Sequence, residues 1–253
     1  MDSGTKVSIL ILTHNAPRFI YKTLKSLRMT QDVSYEVIVV DNRSNFVTSL
    51  AVLWMFRKGW IDKLWYSSYN SLFAEGNNIA SRFAAEDATH YLLLNSDVEI
   101  RRSDWLRILL KNHEYGITSY GVVTKPPVPR VDGYCLLIDS DLYKRHGLDE
   151  SFAWYWAVTG LQAKVLTEGL SVKGYAKHED YLHHFWHKSG KTPKKAKGMK
   201  TDPKEVVSWF QGRAVTLLER PHDIDLPHRH LRGLPQRPSQ VQLSHQDTSD
   251  IVR

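Results

Sequence analysis

The 253-residue sequence has one cysteine and no apolar run long enough to cross a membrane. The lone Cys135 excludes an internal disulfide, and its simplest role is a core thiol in a reducing compartment. A bilayer-spanning helix needs about 18 consecutive apolar residues, so an integral membrane protein is excluded. The first residues lack a charged stretch followed by an apolar core, so no secretory signal is expected. These absences predict a cytoplasmic protein.

Charge of one sign is concentrated in a single stretch of the chain. The net charge is +7, and the segment Lys188–Lys204 supplies +6 of it, with seven lysines and one acidic residue, Asp202. A lysine cluster attracts the phosphates of anionic lipids or of nucleic acid. A solvated loop is the alternative interpretation.

The domain organisation follows from length and composition. Apolar residues make up 42% and charged residues 24% of the chain, which excludes a wholly disordered or collagen-like protein. The length predicts one domain, which we place at residues 1–220. Residues 221–253 are rich in Pro, His, Gln and Arg and contain no aromatic residue, so we expect an irregular tail there.

Short apolar runs alternate with segments of helical periodicity. The predicted strands are 7–12, 35–40, 63–66, 91–94 and 131–138, and the predicted helices are 17–27, 47–56, 75–85, 103–111 and 160–168. This alternation predicts an α/β fold with a Rossmann-like, mostly parallel central sheet and helices on both faces. In such sheets the ligand lies beyond the carboxyl ends of the strands.

Polar residues stand at three of those predicted strand ends. They are Thr13-His14-Asn15, Asp41-Asn42 and Asn95-Ser96-Asp97. Because parallel strands end at one edge, these groups should converge on one crevice. Asn15 could also cap the helix that follows it.

The order of the motifs resembles one enzyme family. The motifs are VSILILTHN (7–15), YEVIVVDNRS (35–44), FAEGNN (73–78), YLLLNSDV (91–98), DGYCLLI (132–138), GLDESF (147–152) and the histidines near His184. Each motif is weak alone, but their order and spacing resemble the family 2 glycosyltransferases of GT-A fold, of a rhamnosyl- or glucosyltransferase-like kind. The resemblance covers about residues 5–190.

The resemblance implies a nucleotide-sugar donor, with UDP- and dTDP-sugars favoured. It carries over a set of donor-binding positions: Thr13, His14 and Asn15 for nucleobase and ribose, Asp41 as a hydrogen-bond acceptor for them, Gly76 and Asn77 beside the diphosphate, and Asn95 and Asp97 at the DxD position. An Asx-turn is the ordinary alternative for Asp41, and a plain helix N-terminus is the alternative for the turn around Gly76.

The resemblance also implies a divalent metal, Mn²⁺ or Mg²⁺. Hard cations prefer oxygen ligands and bind nucleotides through one or two carboxylates plus phosphates. Asp97 is the expected carboxylate ligand, since Asn95 is neutral. His184 matches the late histidine that completes the metal site in relatives, with His183 as the alternative, and histidine suits Mn²⁺ better than Mg²⁺.

The catalytic base is where the sequence departs from the family. An inverting transferase needs a carboxylate that takes the proton of the acceptor hydroxyl. The family's acidic element falls at Ala157-Val158-Thr159-Gly160, which contains no acid. Asp149 and Glu150 are the nearest candidates, and Glu179 and Asp180 are more distant ones. Retention of configuration or lost activity would explain the same gap.

The sequence therefore predicts a glycosyltransferase, with an inverting mechanism favoured, acting on a glycan or a lipid-linked acceptor. One alternative acceptor is a modified nucleic-acid base, bound through Lys188–Lys204. Another alternative is a module that binds a nucleotide-sugar without turnover. The same lysines could instead hold the enzyme at an anionic membrane surface, which makes a peripheral location an open expectation.

Overall fold

The computed structural model describes residues 4–154, 156–186 and 196–221. The predicted tail, from residue 222 onward, and residues 188–195 of the lysine segment lie outside these ranges. The division into residues 1–220 and a tail therefore stays a prediction.

The strands form one large sheet and two small ones. In chain order they are β1 (Lys6–Thr13), β2 (Ser34–Asp41), β3 (Lys63–Tyr66), β4 (His90–Asn95), β5 (Val98–Ile100), β6 (Gly116–Tyr120), β7 (Val122–Val123), β8 (Arg130–Val131), β9 (Cys135–Asp139), β10 (Ser171–Tyr175), β11 (Leu182–His184) and β12 (Thr216–Leu218). The large sheet has the order β12-β10-β6-β9-β4-β1-β2-β3, while β5 pairs with β11 and β7 with β8. In the large sheet only β9 runs antiparallel to its neighbours.

Helices cover both faces of the sheet. They are α1 (Pro17–Leu27), α2 (Phe46–Arg57), α3 (Leu72–Ser81), α4 (Trp105–Lys111), α5 (Ser140–His146), α6 (Trp156–Thr167) and α7 (Pro203–Trp209). One apolar core lies under α1, α2 and α4, and a second lies under α3, α5, α6 and α7. This arrangement confirms the predicted α/β fold. Within the described ranges, no helix is long and apolar enough to cross a bilayer.

The centre of the sheet fixes the geometry of its upper edge. β1 is buried along nearly its whole length, with Ile9 facing one core and Leu10 the other. β1 pairs in parallel with β2 and β4, so that Thr13 lies opposite Asp41 and Leu12 opposite Asn95. The carboxyl ends of all three strands therefore meet at one edge, as the sequence predicts.

Several elements differ from the sequence-based expectation. The strand predicted at 131–138 is divided, because the chain bends at residues 132–134 between β8 and β9. The helix predicted at 75–85 runs from Leu72 to Ser81. Asn15 does not cap α1, whose N-cap is Ala16 with no side-chain hydrogen bond. Asn15 has φ of 53° and uses its side chain elsewhere. The sequence patterns predict no strand at the positions of β6, β10 and β12.

Gly116 gives a direct test of the pairing between β6 and β10. Its φ is +142°, and a Cβ at this position would lie 2.0 Å from the backbone oxygen of Ser171. Since a strand carbonyl cannot swing aside as a side chain does, Gly116→Ala should lower the free energy of unfolding by about 3 kcal/mol. Urea denaturation measures this change.

The matched control is Gly160→Ala in α6, where a Cβ meets nothing within 4 Å. This substitution should raise the free energy of unfolding by about 0.5–1 kcal/mol, because alanine favours a helix interior over glycine. Equal urea midpoints for Gly116→Ala and the wild type would contradict the close contact between Gly116 and the backbone of β10.

Candidate active site

The loops after β1 and β2 are joined by side chains that the sequence singles out. Nδ1 of His14 lies 2.8 Å from the carbonyl oxygen of Asn42, which can only accept, so Nδ1 carries the proton. Nε2 then accepts from the side-chain amide of Asn15 at 2.9 Å. Oδ1 of Asn15 accepts from the backbone N–H of Asn45 at 2.6 Å. The imidazole of His14 is thus held in one tautomer between the loops after β1 and β2.

Asp41 is buried and holds the loop that follows it. Its Oδ1 accepts from the backbone N–H of Ser44 at 2.8 Å, and its Oδ2 accepts from the hydroxyl of Ser49 at 2.5 Å. The side chain thus bonds to the N–H three residues on, rather than two residues on as in the Asx-turn given as the alternative. Opposite Asp41, the hydroxyl of Thr13 is buried and has no hydrogen-bond partner among the described residues.

Helix α3 is fastened to this edge by Asn42. The side-chain oxygen of Asn42 accepts from the N–H and the hydroxyl of Ser71, both at 2.8 Å. Gly76 lies where a Cβ would come within 2.7 Å of Leu12, so it allows α3 to approach β1 closely. The buried amide of Asn77 donates to the carbonyl oxygen of Phe73 in its own helix at 2.8 Å.

Asp97 and His184 meet in the interior. Asp97 is fully buried, and Nε2 of His184 lies 3.2 Å from its Oδ1. Strand β11 pairs antiparallel with β5, which places His184 opposite Val98, and the N–H of Phe185 donates to the carbonyl oxygen of Asp97 at 2.9 Å. His183, on the other side of β11, packs edge-on against Phe185 instead.

The spacing of this pair suits a divalent cation. Adjacent ligands of an octahedral cation, each about 2.1 Å from it, are about 3.0 Å apart. The ring of Tyr134 stacks on His184 with centroids 4.2 Å apart and fixes the plane of the imidazole. Nδ1 of His184 and the hydroxyl of Ser96 are buried without hydrogen-bond partners in the described part of the chain. The residues present therefore fit a metal and a polar ligand.

Asp132 is a carboxylate beside this pair that sequence reasoning left without a role. Burial raises the pKa of its carboxyl group, and attraction to His184 opposes that shift. The adjacent Gly133 abuts α6, since a Cβ there would lie 2.8 Å from Val158. An Asp-Gly pair between two apolar runs is an ordinary turn signal, so only the fold shows where its carboxylate lies.

The two acids proposed from sequence as the base are held in the loop after Leu148. Asp149 accepts from the N–H and the hydroxyl of Ser151 at 2.9 and 2.6 Å, and these hydrogen bonds lower its pKa. Glu150 accepts from the amide of Asn78 at 2.9 Å. Glu150 also lines a separate cleft of about 430 Å³ with Arg82.

A second group that could bind a metal lies at the opposite edge of the sheet. One ligand atom each from His90, His113 and Asp139 lies within 4.8 Å of the others. Nε2 of His113 is 3.0 Å from Asp139, and Nε2 of His90 is 3.6 Å from it. His90 begins β4 and Asn95 ends it, which separates the two edges by about 17 Å. This group is therefore distinct from the pair at Asp97.

The sheet order and its flanking helices match the GT-A fold. A family model described as Glycosyl transferase family 2 matches residues 8–150, more than half of the chain. The chain therefore belongs to the family 2 glycosyltransferases. No curated protein sequence matches it.

Solved structures share the fold at low identity. The S. aureus protein TarS is 19% identical, with a TM-score of 0.51 over 64% of this chain and 55% of that one. The Pyrobaculum calidifontis mannosyltransferase PcManGT, solved with GDP-Man and Mn²⁺, is 20% identical, with a TM-score of 0.55 over 65% and 52%. GalNAc-T7, solved with UDP, GalNAc and Mn²⁺, is 13% identical, with a TM-score of 0.54 over 65% and 41%. The matched region spans about half the length of these chains.

The pKa of His90 predicts a loss of stability in acid. Burial, followed by repulsion from His113, lowers the pKa of His90. In the unfolded chain the imidazole titrates near pH 6.5, so the unfolded state binds more protons below that pH. The contribution of His90 to the free energy of unfolding is therefore complete above about pH 6.5 and is lost as the pH falls. Burial tends to raise the pKa of Asp139, but hydrogen bonds from His113 and Gly116 lower it overall. The contribution of Asp139 to stability is therefore also lost as the pH falls, at a lower pH than that of His90.

Urea unfolding between pH 7.5 and pH 5 measures this slope. His90→Gln should flatten it, while the matched substitution His183→Gln, outside the group, should not. If His90→Gln keeps the wild-type slope, the acid sensitivity has another source.

Proposed function

We propose that the protein transfers a sugar, of a hexose type such as glucosyl or rhamnosyl, from a UDP- or dTDP-sugar to a glycan or lipid-linked acceptor. The observation that carries this proposal is the buried pair of Asp97 and His184 at the carboxyl edge of the parallel strands. TarS has been solved with UDP and with UDP-GlcNAc, and PcManGT with GDP-Man and Mn²⁺. These complexes support a nucleotide-sugar donor and a divalent metal here.

The donor's nucleoside is assigned to the loops after β1 and β2. Among the described residues the buried hydroxyl of Thr13 has no hydrogen-bond partner, and the imidazole of the adjacent His14 is held by Asn42. A uracil or thymine N–H and the ribose hydroxyls need acceptors. The carboxylate of Asp41 has lone pairs beyond those used by Ser44 and Ser49. Asn15 lies in the same loop as His14, after β1. The family resemblance alone assigns Gly76, Asn77 and Asn95 to the ribose and diphosphate, since Gly76 packs against Leu12 and Asn77 is buried in α3.

Asp97 and His184 are the proposed ligands of Mn²⁺ or Mg²⁺. When bound, the metal would neutralise charge on the diphosphate as it leaves. Both side chains are positioned before any ligand arrives, because β5 pairs with β11 and Tyr134 stacks on the imidazole. The group formed by His90, His113 and Asp139 is too distant to take part in this step.

We assign the catalytic base to Asp132, with Asp149 and Glu150 as the sequence-based alternatives. The family's base position is occupied by Ala157, Val158 and Thr159, all buried. Gly133 touches Val158, so Asp132 stands next to the position that lost its acid. A carboxylate with a raised pKa is a stronger base than an ordinary aspartate.

The proposed reaction is a displacement at the anomeric carbon. The base takes the proton of an acceptor hydroxyl. The oxygen of that hydroxyl forms a bond to the anomeric carbon. The bond from the same carbon to the donor phosphate breaks, and the nucleoside diphosphate leaves with the electron pair. One displacement inverts the configuration.

The donor site is tested by thermal shift with UDP, dTDP, GDP and their sugars, with and without Mn²⁺. A ligand at about 100 times its dissociation constant stabilises the native state by about 2.7 kcal/mol, which raises Tm by roughly 5–10 °C in a domain of this size. We expect this rise for a uridine or thymidine nucleotide with Mn²⁺. Asp97→Asn and His184→Gln should abolish the metal-dependent part.

Asp139→Asn is the matched control, since it removes a carboxylate from the other histidine group. It should leave the nucleotide-dependent rise intact. If Asp139→Asn removes the rise and Asp97→Asn does not, the metal assignment is wrong. If no nucleotide shifts the wild type, the donor proposal fails.

The base assignment is tested by comparing three substitutions. Asp132→Asn should lower kcat by roughly 10²–10⁴-fold while the donor-induced rise in Tm remains. The kcat/KM of the wild type should rise with pH through an apparent pKa above that of an ordinary aspartate, because burial raises the pKa of Asp132. Asp149→Asn and Glu150→Gln should change kcat little.

A large loss in Asp149→Asn or Glu150→Gln alone would instead move the base to that residue. Donor binding with no transfer and no donor hydrolysis in the wild type would favour a binding module without turnover. Transfer to a nucleic-acid base would favour the other alternative acceptor.

A further inference from the structure

Helix α2 exposes a row of large apolar side chains. Phe46 is 79% exposed, Val47 64%, Leu50 54% and Trp54 45%. Positions three and four apart share one face of a helix, so these side chains form a continuous stripe. Isolated apolar residues on a surface are ordinary, but a contiguous patch marks an interaction site.

The opposite side of α2 is already packed on the sheet. Val52 and Met55 are fully buried in the core that β1 and β2 share. The helix sequence FVTSLAVLWMFR is apolar on both sides, and a helix that is apolar all round is normally covered all round. A shallow groove of about 560 Å³ along the stripe is lined by α2 residues alone. Nothing in the described part of the chain covers it.

The helices that carry and adjoin the stripe are basic. Residues 14–31 and 42–61, which contain α1 and α2, include no acidic residue. They contain seven lysines and arginines, all exposed: Arg18, Lys22, Lys25, Arg28, Arg43, Arg57 and Lys58. We call these seven residues and the apolar stripe the α1–α2 face.

Aromatic rings and cations are interleaved on this face. Tyr21 on α1 lies 6.4 Å from Trp54 and 5.6 Å from Trp60, between ring centroids. The guanidinium of Arg28 lies 5.0 Å above Trp60, and the ammonium of Lys58 lies 5.9 Å from Trp54. Segments that bind at a bilayer interface combine tryptophan, tyrosine, lysine and arginine with a stripe of apolar side chains. The α1–α2 face has this composition.

We propose that the α1–α2 face docks the protein on an anionic lipid bilayer. A second copy of the chain is a poor occupant, because it would bring two faces with seven positive charges each into contact. A nucleic acid would suit the charges, but Val47 and Leu50 can neither stack on bases nor form hydrogen bonds with them. Acyl chains cover such side chains, and anionic headgroups match the cations.

The face adjoins the candidate active site. The most exposed members of the stripe, Phe46 and Val47, begin α2 directly after the loop that Asp41 holds. Docking would therefore turn the carboxyl edge of the sheet toward the membrane surface. If the proposed function is correct, the acceptor is then a lipid-linked one. The docking itself rests on the α1–α2 face and not on the donor chemistry.

Vesicle co-sedimentation of the full chain tests the proposal. Vesicles of phosphatidylcholine alone are compared with vesicles that also contain phosphatidylglycerol, at low and high salt. We expect binding only to the anionic vesicles, and weaker binding as salt screens the charges. Arg57→Gln/Lys58→Gln should lower the partition coefficient roughly 30-fold. Phe46→Ser/Leu50→Ser should lower it at least about tenfold.

Two matched controls separate this face from other sources of binding. Val207→Ser removes an apolar side chain of similar exposure, 48%, from α7, and it should bind as the wild type does. Lys194→Gln/Lys195→Gln removes two charges from the lysine segment, and it should retain most of the binding. All variants should keep the wild-type Tm and the wild-type response to UDP, which tests the donor proposal separately.

Three results would overturn the proposal. One is no binding to anionic vesicles at any salt concentration. Another is binding that Lys194→Gln/Lys195→Gln abolishes and the α1–α2 variants leave intact. The third is a dimer in sedimentation velocity that Phe46→Ser/Leu50→Ser dissociates, which would assign the face to self-association.

Discussion

The buried carboxylate of Asp97 is the constraint on which the site depends. A charge removed from water must have a partner of opposite sign, or the fold loses several kcal/mol. Here the partner is His184, which is 87 positions away in the chain and is brought in by the pairing of β11 with β5. The imidazole and the carboxylate are held 3.2 Å apart in the interior, a spacing that also suits two ligands of one divalent cation.

The same logic explains the supports around the turn after β4. The hydroxyl of Thr23 on α1 donates to the carbonyl oxygen of Ser96 at 2.9 Å and lies 3.2 Å from the N–H of Val98. Each of these backbone groups would otherwise be buried without a partner. The turn is thus fixed from α1 on one side and from β11 on the other. A rigid turn keeps the position of Asp97 from depending on the ligand.

The sequence predicts the first half of the fold well, because β1, β2 and β4 are continuous apolar runs that end in polar residues. Their shared edge follows from parallel pairing alone. The strands after residue 112 are harder to recognise. β6 reads GITSY and β10 reads SVKGY, so neither shows an apolar run or a clean alternation. They are strands because β6 pairs with β9 and β10, and β10 with β12, which is long-range information. His90, His113 and Asp139 were missed for the same reason.

The segment that matches the family's base position lies beside Gly133, which follows Asp132 in the chain. In the family's acidic element, Ala157, Val158 and Thr159 now belong to the apolar side of α6. Gln162, one turn further on, accepts from the N–H of Val131 at 2.9 Å and donates to its carbonyl oxygen at 3.0 Å. These two hydrogen bonds hold β8 against α6 and keep Gly133 next to Val158. Sequence spacing could not reveal this proximity, since the two segments lie about 25 positions apart.

Charge counted along the chain gave a misleading view of the surface. The lysine segment accounts for +6 of the net +7, which suggests a nearly neutral body. Yet the α1–α2 face alone contributes +7, so the remaining residues must be net acidic. Two helices without a single acid lie side by side on one face of the sheet, and the compensating acids lie elsewhere. A protein whose total charge is modest can therefore present a strongly cationic, apolar face on the side next to its candidate active site.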